Sequence, residues 1–258
     1  MANNKSWEKI FKDYDILTHN FDNSPYILSA ADIKKACQNF KETGAKEVRL
    51  LCKQDKREDR PQVFIDNNLF ILPIENGVYA ILRGEGYLNI PEITSPIEHY
   101  QSQLDFKLDS SAVGDSEMQH LDLAYASSLI RTFTDDSSLL LTIRGRKYTP
   151  SFHFNVGKQT LNVQGVQTEV DAGYEGREQI VLVEAKNTAV SNTIIRQLYY
   201  PFRQWKSYTD KAVKLLFFDK DKKTNVYNIW QYEFTDEEDY NSIRLVKSGR
   251  YIIDGPNL

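Results

Sequence analysis

The run Ile180-Val-Leu-Val183 is apolar at every position. Strand side chains alternate between two faces, so such a run needs cover on both sides and belongs in the middle of a sheet. It continues directly into Glu184, Ala185 and Lys186. Glu184 and Lys186 share a face and Ala185 takes the other. A helix with one apolar side follows over about 193–208, with Pro201 expected to kink it, and 212–218 and 226–234 read as strands. Upstream, strands are expected over 139–143, 151–156 and 161–171. They are preceded by a helix opening at Asp115-Ser-Glu, with Leu121, Ala124, Tyr125, Leu129 and Ile130 on its apolar side. Helix, antiparallel strands, crossover helix, strand predicts an α/β (α+β) fold, a mixed central β-sheet flanked by helices.

The first half reads as a separate α+β lobe. Trp7, Ile10, Phe11, Tyr14 and Leu17 have helical spacing. Ser29-Ala-Ala-Asp32 has the form of a capping box opening a helix towards Phe40, with Gly44 as its stop, and 47–53 reads as a strand. Asn76-Gly77 between two apolar runs predicts a type I′ hairpin. Helices followed by a hairpin resemble a winged-helix module. The stretch 91–114, with its prolines and serines, separates an N-terminal lobe (1–110) from a core (111–258).

Composition removes several classes. Cys37 and Cys52 are the only thiols of 258 residues, too few for a disulfide scaffold and suited to a reducing cytoplasm. The four histidines are scattered without zinc spacing. The start lacks the apolar segment of a signal peptide, and no stretch approaches the ~18 apolar residues of a membrane span. A soluble cytoplasmic protein is expected. The net charge of -4 does not by itself suggest a nucleic-acid binder, but charge is distributed unevenly. Arg144, Arg146, Lys147 and Lys158 lie in 142–160 without an acid. Lys186, Arg196, Arg203, Lys206, Lys211 and Lys214 face only Asp210 in 186–214.

Asp171 ends one expected strand and Glu184 ends the next, so a hairpin would bring the two carboxylates together. Ionised neighbours repel unless a cation lies between them, and hard oxygen donors suit Mg²⁺. Lys186 beside them could hold and polarise a water. The bland alternative is a Glu-Lys ion pair closing a strand.

Asp171, Glu184 and Lys186 match the PD-(D/E)XK nuclease signature, with Val170 where the family often has proline. The blocks VQTEVDAGYEG, IVLVEAKN and IIRQLYYPFRQW resemble bacterial type II restriction endonucleases over about 142–205. The resemblance implies a restriction-endonuclease-like core and Mg²⁺ ligated by Asp171, Glu184 and the Ala185 carbonyl, with Lys186 orienting the hydrolytic water. It also implies an upstream helix acid, Glu117, with Asp122 as the alternative. Gln197 stands where related nucleases carry a Gln-x-x-x-Tyr pair, although Tyr200 comes one residue early. Arg144-Gly-Arg-Lys-Tyr148 is the expected DNA-contact loop, through Arg144, Arg146 and Lys147. Asn187, Arg196 and Arg203 are further DNA-binding candidates. Tyr199, Tyr200, Phe202 and Trp205 read as core. The charged stretch 53–60 reads as a solvated loop, with Lys53, Lys56, Arg57 and Arg60 able to grip phosphates.

The implied activity is Mg²⁺-dependent, sequence-specific hydrolysis of double-stranded DNA to 5′-phosphate ends, by a monomer or homodimer paired with a protective methyltransferase. The alternatives are a structure-directed repair or recombination nuclease and a non-cleaving DNA-binding regulator.

Overall fold

The computed structural model describes residues 3–113 and 116–255. The N-terminal part comprises α1 (Asn4–Asp13), β1 (Tyr26–Ser29), α2 (Ala30–Cys37), α3 (Thr43–Lys46), α4 (Val48–Leu51), α5 (Gln62–Asp66), β2 (Leu69–Glu75) and β3 (Val78–Arg83). Then come β4 (Tyr87–Asn89), β5 (Glu98–Gln101), α6 (Glu117–Ala126), α7 (Leu129–Thr134), β6 (Leu140–Tyr148), β7 (Phe152–Val156), β8 (Gln159–Val163) and β9 (Gln167–Glu175). The chain continues through β10 (Gln179–Lys186), β11 (Asn192–Ile194), α8 (Arg196–Lys206), β12 (Ala212–Asp221), β13 (Val226–Phe234) and β14 (Ile243–Asp254).

The central sheet has seven strands in the order β5-β14-β13-β12-β10-β9-β6. β10 runs parallel to β12, and β14 to β5, while the other neighbours are antiparallel, so the sheet is mixed as expected. Ile180 and Leu182 pack with Leu198, Tyr199 and Tyr200 of α8. Val181 and Val183 pack on the other face with Leu121 and Ala124 of α6 and Leu129, Ile130 and Phe133 of α7. That two-sided cover is what an uninterrupted apolar run requires.

A three-stranded antiparallel sheet, β1-β3-β2, belongs to the N-terminal lobe. Its outer face, through Leu69, Ile71 and Ile81, closes over Trp7, Ile10, Phe11 and Ile33 from α1 and α2. Its inner face, through Phe70, Leu72, Ala80 and Leu82, joins the α8 side of the central core. The hairpin is therefore a wall common to both lobes. Two short ribbons, β4-β11 and β7-β8, complete that side.

Some local expectations change. Within 47–53 the chain forms α4 (Val48–Leu51) rather than a strand, because Val48 and Leu51 are both buried at helical spacing while Leu50 stays outside. The Ser29 capping box is present, with Ser29 Oγ accepting from Asp32 N at 3.1 Å. The Asn76-Gly77 turn is not type I′. Gly77 has φ +77° but Asn76 keeps a negative φ. A bulge between Pro73 and Glu75 and the hydrogen bond from Ala30 N to Gly77 O, 2.7 Å, shape this turn instead. The single strand expected over 161–171 is interrupted by a turn at Gly165, φ +63°.

Asp115, the expected helix start, and Gly114 lie outside the described residues. Within them, Ser116 caps α6, its Oγ accepting from Gln119 N at 3.3 Å. The helix breaks before Leu129, where Ser128 adopts φ +71°. Residues 192–194 are strand β11, so α8 begins at Arg196. Pro201 sits inside α8 and cannot donate to the Gln197 carbonyl one turn back.

Candidate active site

β9 and β10 pair antiparallel, with Val183 opposite Ala172 and Leu182 opposite Gly173. Continuing that register sets Glu184 beside Asp171 at the end of the hairpin. The Asp171 carboxylate accepts a hydrogen bond from the Ala185 amide at 2.8 Å, which fixes it across the strand gap. Lys186 Nζ pairs with Glu184 Oε1 on the shared face. Glu117, at the first turn of α6, reaches the same strand end and accepts from the Asn187 amide at 2.8 Å. Gln197, on the first turn of α8, accepts from Thr193 Oγ1 at 2.5 Å. Of the expected catalytic residues, Glu117, Asp171, Glu184, Lys186 and Gln197 all line one groove of about 1300 Å³.

Electrostatics at the floor of this groove are uncompensated. Burial pushes Glu184 up to about 7; Lys186 opposes the shift and Asp171 adds to it. Burial also raises Asp171, against the Ala185 amide and Lys186, with Glu117 and Glu169 reinforcing the rise. Burial would lower Lys186, but Glu184, Asp171 and Asp55 outweigh it and hold the ammonium above its ordinary value. On the core side, Glu117, Glu169, Asp171 and Glu184 line the groove together with Lys186 and Arg196, and Glu169 also pairs with Arg146. Among the described residues no three acidic, histidine or cysteine side chains enclose an ion by themselves. A divalent cation here would take two carboxylates, the Ala185 carbonyl and water. That all-oxygen, partly hydrated donor set fits Mg²⁺, and the raised carboxylates are the groups such an ion would relieve.

The expected DNA-contact loop is instead the outer half of β6, an edge strand of the central sheet. Gly145 has φ +76° and lies where the β6-β9 register shifts, so the strand continues through a bulge. Arg144 pairs with Asp122, and Arg146 lies 3.3 Å from Glu169, which lines the groove. Lys147 lies over the Trp205 ring. Asn187 Oδ1 is buried without a hydrogen-bond partner. Arg196 lines the groove, whereas Arg203 donates to the His153 and Glu237 carbonyls and the Tyr199 hydroxyl, outside it. Tyr199, Tyr200 and Phe202 are buried in the core, as their spacing suggested.

The opposite wall comes from the N-terminal lobe: Arg49 at α4, Lys53, Asp55, Lys56 and Arg60 after it, and the Asn76-Gly77 turn. The 53–60 stretch is exposed at Lys53, Glu58 and Asp59, as expected of a solvated loop, but it is anchored to β11. The Arg57 amide donates to Asn192 Oδ1 at 2.7 Å, and Asn192 Nδ2 donates to Glu58 at 2.9 Å. Asn192 is buried, so its amide group takes its partners from this segment. Asp55 and Glu169 also belong to the groove. Glu169 lies two residues before Asp171 in the quoted block, whereas nothing in the charged run singles out Asp55.

Two family models match the chain. Residues 4–81 match Domain of unknown function (DUF6996), and residues 82–252 match Domain of unknown function (DUF6997). No curated protein and no solved structure matches. Among the described residues no helix is long and apolar enough to cross a membrane. With most of its length, including the whole Asp171-Glu184-Lys186 hairpin, inside the second match, the chain belongs to the family described as Domain of unknown function (DUF6997).

Proposed function

We propose that this chain is a Mg²⁺-dependent DNA endonuclease of the type II restriction class. The observation that carries the reading is the junction of Asp171, Glu184 and Lys186 at the end of β10, on the floor of a groove walled by both lobes. The resemblance to PD-(D/E)XK nucleases rests on the same three residues.

In this reading Asp171, Glu184 and the Ala185 carbonyl hold the cation. When bound, Mg²⁺ lowers the pKa of water and neutralises charge on a phosphate. Lys186 donates a hydrogen bond to the water aligned for in-line attack, and its charge favours the hydroxide form. Gln197 and Arg196 orient phosphate oxygens from the first turn of α8. Glu117 fixes the end of β10 by accepting from Asn187, so the hairpin cannot splay as substrate enters. The water gives up a proton to solvent, its oxygen bonds to phosphorus as the P–O3′ bond breaks, and the departing O3′ takes a proton from a groove water, leaving 5′-phosphate and 3′-hydroxyl ends. The β1-β3-β2 strand order, with helices before and after β1, is compatible with a winged-helix reading of the N-terminal lobe. In that role the lobe would present α4 and the hairpin turn to the duplex.

The test is digestion of plasmid and genomic DNA with Mg²⁺ or Mn²⁺, with EDTA as control. Discrete fragments with 5′-phosphate ends are expected. A structure-directed nuclease would leave no fixed pattern, and a regulator would bind without cutting.

A further inference from the structure

The segment between α4 and α5 faces the core acids across the groove. Asp55 Oδ1 lies 3.7 Å from Arg196 Nη2, and Asp55 Oδ2 lies 3.7 Å from Lys53 Nζ. The side chains of Asp55 and Arg196 are only 21% and 23% exposed, so each feels the other with reduced solvent screening. The backbone is pinned independently of this pair. The Asp55 carbonyl accepts from Ile194 N at 2.8 Å, two residues before Arg196. Arg57 and Glu58 are tied to Asn192.

Two further observations bear on what the pair does. At 3.7 Å the contact is a charge pair without a direct hydrogen bond, so it leaves the guanidinium donors uncommitted to Asp55. Arg196 also lines the groove together with Lys186 and Gln197. A planar, permanently charged fork held in a half-buried groove suits two oxygens of a phosphate.

We propose that Asp55 is a positioning residue of this site: from the N-terminal lobe it aims the Arg196 guanidinium into the groove beside Lys186 and Gln197, where Arg196 takes a substrate phosphate. This rests on the nuclease reading above. It makes the site a joint product of the two lobes, with the core supplying the acids and the N-terminal lobe setting the direction of the phosphate clamp.

The full-length protein, Asp55→Asn, Asp55→Glu, Arg196→Met and the Asp55→Asn/Arg196→Met double variant are compared in two assays. One is cleavage of a plasmid with Mg²⁺. The other is binding of a fluorescent random-sequence duplex with Ca²⁺, which needs no turnover. Asp55→Asn raises KM and Kd about tenfold, the size expected for a misaligned charge-assisted phosphate contact, with kcat nearly unchanged. Asp55→Glu restores most of the loss, and the double variant is no worse than Arg196→Met alone. Unchanged KM and Kd in Asp55→Asn, losses that multiply in the double variant, or a loss that tracks a fall in Tm overturn the positioning role and leave the nuclease reading standing. A wild-type protein that neither cuts nor binds DNA overturns both.

Discussion

A carboxylate pushed up to about 7 by burial, as Glu184 is, is partly protonated near neutrality unless something positive joins it. Lys186 alone does not restore it, and Asp171 is raised too. Two consequences follow at the scale of single side chains. A divalent ion should stabilise the protein: at a hundred times its Kd, Mg²⁺ or Mn²⁺ adds about 2.7 kcal/mol, or about 5–10 °C in Tm for a chain of this size. Calorimetry of the Asp171→Asn/Glu184→Gln variant should show no such gain, and an equal gain would place the ion elsewhere. Lys186→Ala and Asp171→Ala should lower cleavage at least about a thousandfold while duplex affinity in Ca²⁺ stays within about threefold. Turnover retained in either variant would remove the site assignment. These residues were legible because acids ending a fully apolar strand are conspicuous. Asp55 was not, since a carboxylate in an alternately charged loop carries no mark of what lies across the groove.

Among the elements, β9 depends on how closely β6 can approach it. A Cβ added at Gly173 would come 2.6 Å from Ile143 Cβ, too near for any rotamer change to relieve. Gly173→Ala should therefore cost about 1–3 kcal/mol in urea unfolding and displace the strand that carries Asp171. Adding Ile143→Gly, which removes that Cβ, should recover part of the cleavage rate, and no recovery would argue against displacement.

The start of the hairpin offers a pH test. Burial would raise Asp136, but hydrogen bonds from Ser138 and Gln179 outweigh it and hold Asp136 below the ordinary carboxylate range. An acid depressed in the fold stabilises above its unfolded value and loses that contribution as pH falls through the folded value. Asp136→Asn should thus be less stable than wild type near neutrality and converge with it as pH falls through the lowered value of Asp136. Parallel stability curves would assign Asp136 no charge-dependent role.

Local chemistry explains which elements the sequence declared. The Ser29 box and the β10 run announce themselves through residues that have few other uses. The α4 segment reads as a strand because a short apolar stretch fits either period until its packing partners are known. In β6, the stretch 144–148 reads as a contact loop but is strand continued through a bulge at Gly145, which only the partner strand reveals.

For the molecule as a whole, the decisive feature is the hairpin β2-β3, buried on both faces. Its alternate residues enter two different cores, and Tyr200 of α8 donates to the Pro73 carbonyl at 2.9 Å. Lobes that share a sheet unfold together, so one transition coincident by circular dichroism and fluorescence is expected. Two separated transitions would show that each lobe stands alone. The same continuous apolar residues, Leu69 to Leu72, could have signalled this from the sequence, as Ile180 to Val183 did for the central strand. What the sequence alone could not supply was the identity of the second layer.

The joint between the two matched segments falls inside β3, between Ile81 and Leu82. Severed there, the first piece would bare the face carrying Phe70, Leu72 and Ala80, and the second would bare the α8-side core that this face covers. The two segments therefore depend on each other for cover, and pieces expressed separately should aggregate where the joined chain stays dispersed.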